Sequence, residues 1–254
     1  RGRERSQPEH RFGYISGMIE TAENLARDYQ IAREEADSYA VESQRRAAAA
    51  WAEGRFTDEV VPVPVPQRKG DPVLVARDEG IRADTTMDVL ANLRPIMKGG
   101  VVTAGNAAQQ NDAASACLVV AEEKLAALGL TPMAFLKGWS AVGCDPARMG
   151  IGPVAATHKV FAKTGLGFAD MDLIEINEAF AVQVLAVLKG WDWDDKSRLN
   201  VNGSGISLGH PIGATGVRIM TSLLHEMERR GARYGLETMC VGGGQGMAAI
   251  FERA

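Results

Sequence analysis

From Glu20 to Tyr29 the apolar positions Ala22, Leu25, Ala26 and Tyr29 recur at three- and four-residue spacing, which predicts a helix. The same period continues over Ile31 to Glu53. Tyr39, Ala40, Ser43, Ala47, Ala50 and Trp51 share one face, and Gly54 stops the run, so one long helix or a helix pair is expected. Val60 to Pro66 alternates valine with proline. Proline has no N–H to give to a ladder, so this stretch reads as an edge or extended connection. A short helix is expected from Thr86 to Asn92. Residues 1–98 read as a loop-rich, partly helical subdomain.

Beyond residue 98 the pattern changes. Val101 to Thr103 predicts a strand, and Ala113 to Leu128 a strand running into a helix that Gly129 ends. Strands are expected at Ala134–Ala141, Leu173–Ile176, Leu199–Val201, Tyr234–Val241 and Met247–Glu252. Helices are expected at Gly152–Thr164, with Pro153 in the first turn, and at Ala179–Leu188. A further helix spans Gly213–Arg230, with Val217, Met220, Leu223, Leu224 and Met227 inward. The alternation from residue 132 onward means α/β, with helices covering a mixed sheet. Sites in such folds form where loops leave strand ends, and the loop at Asn202 is one of these.

Composition narrows the class. The 254 residues are 46% hydrophobic and 24% charged, as in an ordinary globular protein of one large domain or two modest ones. The net charge of -4, with basic residues spread along the chain, argues against a nucleic-acid partner and leaves room for a local basic patch toward a phosphorylated ligand. No apolar run reaches the roughly 18 residues of a membrane span, and no signal peptide is visible. Three cysteines in a chain this long make no disulfide framework, so reduced thiols and a cytoplasmic location are expected. His10, His158, His225, Cys117 and Cys144 have no metal-ligand spacing, and no metal site is expected. Arg1 to His10 carries no initiator methionine and no pattern, and reads as a cut through a longer chain.

Two segments concentrate chemistry. His210 stands among Gly209, Pro211 and Gly213, after a strand end and before a helix N-terminus, where free N–H groups favour a developing anion. A lone histidine is ordinarily a surface or satisfied core residue; this setting argues for a site. Cys240 precedes Gly242-Gly243-Gly244, where burial alone would not call for glycines; a thiol at a strand end above glycine N–H groups can lose and regain a proton. Asn177 opens Asn177-Glu178-Ala179-Phe180 and by itself would be an N-cap. Beside His210 and Cys240 it becomes a candidate to hold a water or an oxyanion. The polar stretch Gly105 to Asp112 is a weak sign of a backbone-lined groove.

These motifs resemble the C-terminal portion of a thiolase, the acetyl-CoA acyltransferase family. Val102-Thr103-Ala104-Gly105-Asn106, Asn177-Glu178-Ala179-Phe180, Gly209-His210-Pro211-Ile212-Gly213 and Cys240-Val241-Gly242-Gly243-Gly244 fall in that family's order and spacing. The resemblance implies a reversible Claisen condensation through a cysteine acyl-enzyme, with coenzyme A as substrate rather than cofactor. It implies that His210 activates the nucleophile and binds the enolate, Asn177 holds a water, Cys240 is the acid/base and Gly242 N–H forms half of a second oxyanion hole. Met18, Arg82, Ala104, Ala107, Ala108, Ala179 and Phe180 match substrate-binding positions. Gly17, Ala108 and Met97 depart from the acetoacetyl-type pattern, which points to a less polar pocket and a longer or bulkier 3-oxoacyl chain.

The family fold is βαβαβαββ, twice. It implies a loop subdomain at 1–98, a remnant of the N-terminal half at 99–131 and the C-terminal half at 132–254, as a homodimer or homotetramer. None of Cys117, Cys144 or Cys240 matches the nucleophile's context. The chain is therefore expected to lack the N-terminal thiolase segment as a partner, and to be inactive alone. Two alternatives stand beside this one. A decarboxylating ketoacyl-synthase relative would carry histidine at 177 and no acid/base cysteine at 240. A non-catalytic acyl-CoA-binding or assembly module would need no nucleophile.

Overall fold

The computed structural model describes residues 16–254. Its frame is a four-stranded mixed sheet, order β3-β6-β5-β4, built from β3 (Ala134–Gly143), β4 (Leu173–Ile176), β5 (Tyr234–Val241) and β6 (Gln245–Arg253). β3 and β5 both pair antiparallel with β6, and β4 pairs parallel with β5. The expected α/β class holds, and each expected strand from 134 onward except Leu199–Val201 forms.

Among the described residues the first two helices are α1 (Met18–Asp28) and α2 (Arg33–Ala52), the second continuous rather than a pair. A two-stranded ribbon follows, β1 (Val63–Val65) on β2 (Val73–Val75), exposed on both strands as prolines at an edge require. Then come α3 (Met87–Ala91), capped by the Thr86 hydroxyl, and α4 (Leu125–Leu128), ended by Gly129 at φ 62°. The C-terminal helices are α5 (Gly152–Thr164), α6 (Ala181–Trp191), the single turn α7 (Gly205–Leu208) and α8 (Thr215–Arg230).

Helix α6 is apolar all round because it is covered on all sides. Val184, Val187, Leu188 and Trp191 pack with Ile174, Ile176, Leu236 and Ile250 of the sheet, and with Ala156 and Val160 of α5. Its other face, Ala181, Val182, Leu185 and Ala186, meets Ala22, Leu25 and Ala26 of α1 and Ala36 and Ala40 of α2. Helix α8 covers the opposite sheet face, with Leu223 and Met227 on Leu173 and Phe251. Val217, Met220 and Leu224, expected inward, are only half-buried, while Ile219, Ser222 and Glu226 take the buried positions.

Three expectations fail for one reason: a strand needs a ladder partner. Val101–Thr103 is irregular, because its N–H groups go to side chains. Those of Val101 and Val102 bond the Glu23 carboxylate at 2.9 Å, and that of Thr103 bonds Asn106 Oδ1 at 2.8 Å. Residues 113–121 form no strand among the described residues, leaving Leu118 and Val119 exposed, and only the Glu122–Lys124 turn and α4 are helical. Leu199–Val201 makes one parallel bridge to Ile174 and then turns at Asn200, φ 44°.

The β5–β6 hairpin sits directly on the start of α5. A Cβ added to Gly246 would overlap the Gly152 backbone, whereas one on Gly213 meets nothing within 4 Å. Gly246→Ala is therefore expected to cost about 2 kcal/mol, read as a melting-temperature drop of roughly 4–8 °C, with Gly213→Ala unchanged in the same scan.

Candidate active site

Parallel strands β4 and β5 end at the same edge of the sheet, and two of the three candidate side chains lie there. Asn177 follows β4, with its N–H bonded to Thr238 O at 3.1 Å. Cys240 lies two residues beyond Thr238 on β5. Asn177 is fully buried, yet neither its Oδ1 nor its Nδ2 has a partner among the described residues. The ordinary reading as a helix cap does not hold: Phe180 is the N-cap of α6. A buried amide with both ends free is costly, and it is suited to hold a ligand or water. Only glycine fits opposite it, since a Cβ on Gly205 would stand 2.9 Å from Asn177 Oδ1 and 2.7 Å from Glu178 O.

The polar segment 105–109 joins this edge to the histidine loop. Ala107 bridges Phe180, Ala108 N–H donates to Ala179 O at 2.9 Å, and Ala181 N–H donates to Asn106 O at 2.9 Å. Farther along, His210 N–H donates to Gln109 O at 3.1 Å. One backbone scaffold thus carries Ala107, Ala108, Ala179, Phe180 and His210. Asn106 pins it by donating to Asp37 Oδ1 at 2.8 Å, and Asp37 in turn is paired with Arg33 at 2.6 Å.

His210 is held from behind. Its Nδ1 lies 2.7 Å from Thr215 Oγ1, and Thr215, fully buried, directs its hydroxyl to Pro211 O at 3.0 Å. A hydroxyl has one hydrogen. With that hydrogen on Pro211 O, Nδ1 carries the imidazole proton and Nε2 keeps its lone pair. Burial, then the nearby positive charge of Arg218, lowers the His210 pKa below its ordinary 6.5. Burial pushes the Cys240 thiol the other way, up to about 12. At neutral pH the site therefore holds a neutral imidazole and a protonated thiol, a base and an acid.

The remaining candidates scatter. Gly242 is exposed in the β5–β6 turn, its carbonyl accepting from Gln245 Nε2 at 3.2 Å. Arg82 is exposed, but its segment is tied in: its N–H bonds Gln44 Oε1 at 2.8 Å, and nearby Gly80 O accepts from Gln109 at 2.8 Å. Ala104 is exposed, and Met18 is exposed in the first turn of α1. No hydrogen bond among the described residues links His210, Asn177 and Cys240 to one another.

Sequence reasoning missed two residues. Glu178, nearly fully buried, accepts four bonds: from Tyr39 Oη at 2.9 Å, Ser43 Oγ at 2.7 Å, Asn200 Nδ2 at 3.0 Å and Ile206 N–H at 3.1 Å. Its trace in the sequence was its place in Asn177-Glu178-Ala179-Phe180, from which no role was read. Thr215, five residues after His210, left no periodic signal.

The C-terminal part, residues 130–253, matches the family model "Thiolase, C-terminal domain", and residues 12–123 match "Thiolase, N-terminal domain". The chain belongs to the thiolase family. It is 54% identical over 234 residues to an acetyl-CoA acetyltransferase of Chromobacterium violaceum, an alignment covering 92% of this chain and 59% of that protein. It is 52% identical to the Pseudomonas aeruginosa protein of the same name, with the same coverage. Among solved structures it resembles the Bacillus anthracis acetyl-CoA acetyltransferase, with TM-score 0.89 and 46% identity over 93% of this chain and 60% of that one. It also resembles human mitochondrial 3-ketoacyl-CoA thiolase in complex with CoA, with TM-score 0.87 and 42% identity over 95% and 61%. The chain thus spans about three-fifths of the length of these thiolases.

If Thr215 selects the tautomer, Thr215→Val mixes the two neutral forms of His210 and Thr215→Ser preserves one. Imidazole nitrogen NMR shifts measure this directly. In the parent protein the same spectra are expected to titrate with a midpoint below 6.5.

Proposed function

We propose that this chain carries the acid/base portion of a thiolase active site, in an enzyme that reversibly cleaves 3-oxoacyl-CoA with CoA through a cysteine acyl-enzyme. The observation that carries the reading is the unpartnered buried amide of Asn177 at the strand end it shares with Cys240, joined through the 105–109 backbone to the His210 that Thr215 holds. A carbon–carbon bond next to a thioester breaks when negative charge on the oxygen is stabilised and the departing carbanion is protonated. His210 Nε2, with its lone pair free, takes the proton of the nucleophilic thiol. The resulting imidazolium then donates to the enolate oxygen, with a water held by Asn177 as second donor. Cys240, a thiol at rest, gives its proton to the α-carbon of the departing acetyl-CoA enolate; in condensation the same sulfur removes it. The N–H of Gly242 supports the oxyanion of the acyl-enzyme step.

The substrate assignment rests on the match of seven positions to substrate-binding positions of the family. Met18, Arg82, Ala104, Ala107, Ala108, Ala179 and Phe180 bind the acyl-CoA, and Gly17, Ala108 and Met97 make the pocket less polar and favour longer or bulkier 3-oxoacyl chains. A role in fatty acid metabolism, a cytoplasmic location and assembly as a homodimer or homotetramer belong to the same proposal. The asparagine at 177 and the cysteine at 240 favour it over a decarboxylating synthase.

The test is CoA-dependent cleavage of acetoacetyl-CoA and of a longer 3-oxoacyl-CoA by the protein of the whole reading frame. Cys240→Ala and His210→Ala are each expected to lower kcat by roughly 10²–10⁴-fold. The acidic limb of kcat/KM is expected below the ordinary histidine value of 6.5. A folded, CoA-binding protein without cleavage, or an unchanged rate in Cys240→Ala, would sink the reading.

A further inference from the structure

Helix α2 and the turn after it meet the C-terminal end of α8 at a cleft of about 230 Å³. Arg45 and Arg46 of α2, Arg55 beyond its end and Arg230 in the last turn of α8 line it, with Glu53 among them. The space is several times the roughly 30 Å³ that one water occupies in the liquid. A second cleft adjoins it, shares Glu53, Arg55 and Arg230, and adds Arg229 and Glu226. Five arginines thus converge from three segments, while the carboxylates paired with them are three, Glu42, Glu53 and Glu226.

Two of the arginines are locked. Arg46 gives Nε to Glu42 at 2.7 Å and Nη2 to Lys196 O at 3.1 Å, and its Nη1 bonds Leu199 O. Arg55 gives Nε to Glu53 at 2.8 Å and Nη1 to Asn202 Oδ1 at 2.8 Å. The other two keep donors in reserve. Arg45 spends Nε and Nη2 on Glu42, both at 2.7 Å, and its Nη1 has no partner among the described residues. Arg230 spends Nε on Glu226, and neither of its Nη atoms has a partner there.

Basic residues in a last helical turn ordinarily answer the helix dipole, which accounts for Arg229 and Arg230. It does not account for Arg45 and Arg46, well inside α2, or for Arg55, beyond its end. Nor does the burial of Glu226 need three arginines within 4 Å of one carboxylate. The excess charge and the free guanidinium edges suit an anion that is compact, multiply charged and rich in acceptor oxygens. A phosphate group meets all three conditions, and the planar fork of arginine matches its geometry.

We propose that this cleft binds a phosphate or diphosphate group of a small molecule, with Arg45 and Arg230 as direct donors and Arg46 and Arg55 as fixed charges beside them. Arg230 lies fifteen residues beyond Thr215 on α8, roughly 22 Å along the axis at 1.5 Å per residue. The cleft is therefore separate from the acid/base site, and it rests on no step of the thiolase reading. Two sources carry the same chemistry: a free phosphorylated molecule and the phosphoryl groups of CoA.

The test is calorimetric titration of inorganic pyrophosphate into the protein of the whole reading frame, at constant ionic strength. Two or three charge-assisted hydrogen bonds place the dissociation constant at about 1 mM or tighter. The double variant Arg45→Gln, Arg230→Gln is expected to weaken binding at least about tenfold. It leaves Glu226 with Arg229 and Arg55, so the fold is expected to hold. If it does not, Arg45→Gln alone remains, because that side chain is 65% exposed; a loss of about threefold is then expected. Arg148→Gln, on another surface with Asp28 and Asp145, is expected to change nothing. A parallel titration with CoA separates the sources. If the double variant also loses CoA affinity, the phosphoryl groups are those of CoA; if only pyrophosphate binding falls, the ligand is a separate molecule. No saturable pyrophosphate binding overturns the proposal. So does binding that the Arg45 and Arg230 variants leave unchanged, or that Arg148→Gln weakens equally.

Discussion

The carboxylate of Glu178 is the interaction on which the site's geometry depends. It is buried where β4 ends, and it gathers donors from Tyr39 and Ser43 of α2, from Asn200 and from the first turn of α7. A buried carboxylate with four donors resists displacement, because losing any one leaves charge facing an apolar interior. Its neighbours inherit that rigidity. Asn177 is next to it in the chain, Gly205 is pressed against the Glu178 carbonyl, and Ala179 and Phe180 hold the segment that carries Gln109 to His210.

The electrostatics of the site follow from burial rather than from paired charges. Removing His210 and Cys240 from water favours the neutral form of each, and the neutral forms happen to be opposite in function: one accepts a proton and the other gives it. The Thr215 hydroxyl then decides which imidazole nitrogen is the acceptor. A site assembled this way needs no counter-ion in contact with its reacting groups.

Much of this was legible in the sequence. Periodicity marked α1, α2 and α8, because each buries one face against the core. The glycines at 54 and 129 marked helix ends because both adopt positive φ. Reading failed at Val101–Thr103 and at 113–121, where apolar residues suggested strands. In the first, Glu23 and Asn106 take the N–H groups; in the second, no ladder partner exists among the described residues. A side chain distant in sequence cannot be seen by a local pattern.

The residues of the site were nameable for a related reason. His210, Cys240 and Asn177 stand next to glycines or strand ends, and such settings are written in the chain itself. Their protonation states were not. The sequence by itself determined most of the elements, the family motifs and the candidate residues of the site, because these depend on local composition and spacing. Only the tertiary structure decided that Asn177 caps nothing, that Thr215 backs the imidazole and that the Arg218 guanidinium is buried without a partner among the described residues. Those facts depend on which surfaces lose water together, and that is fixed by packing between segments far apart in the chain.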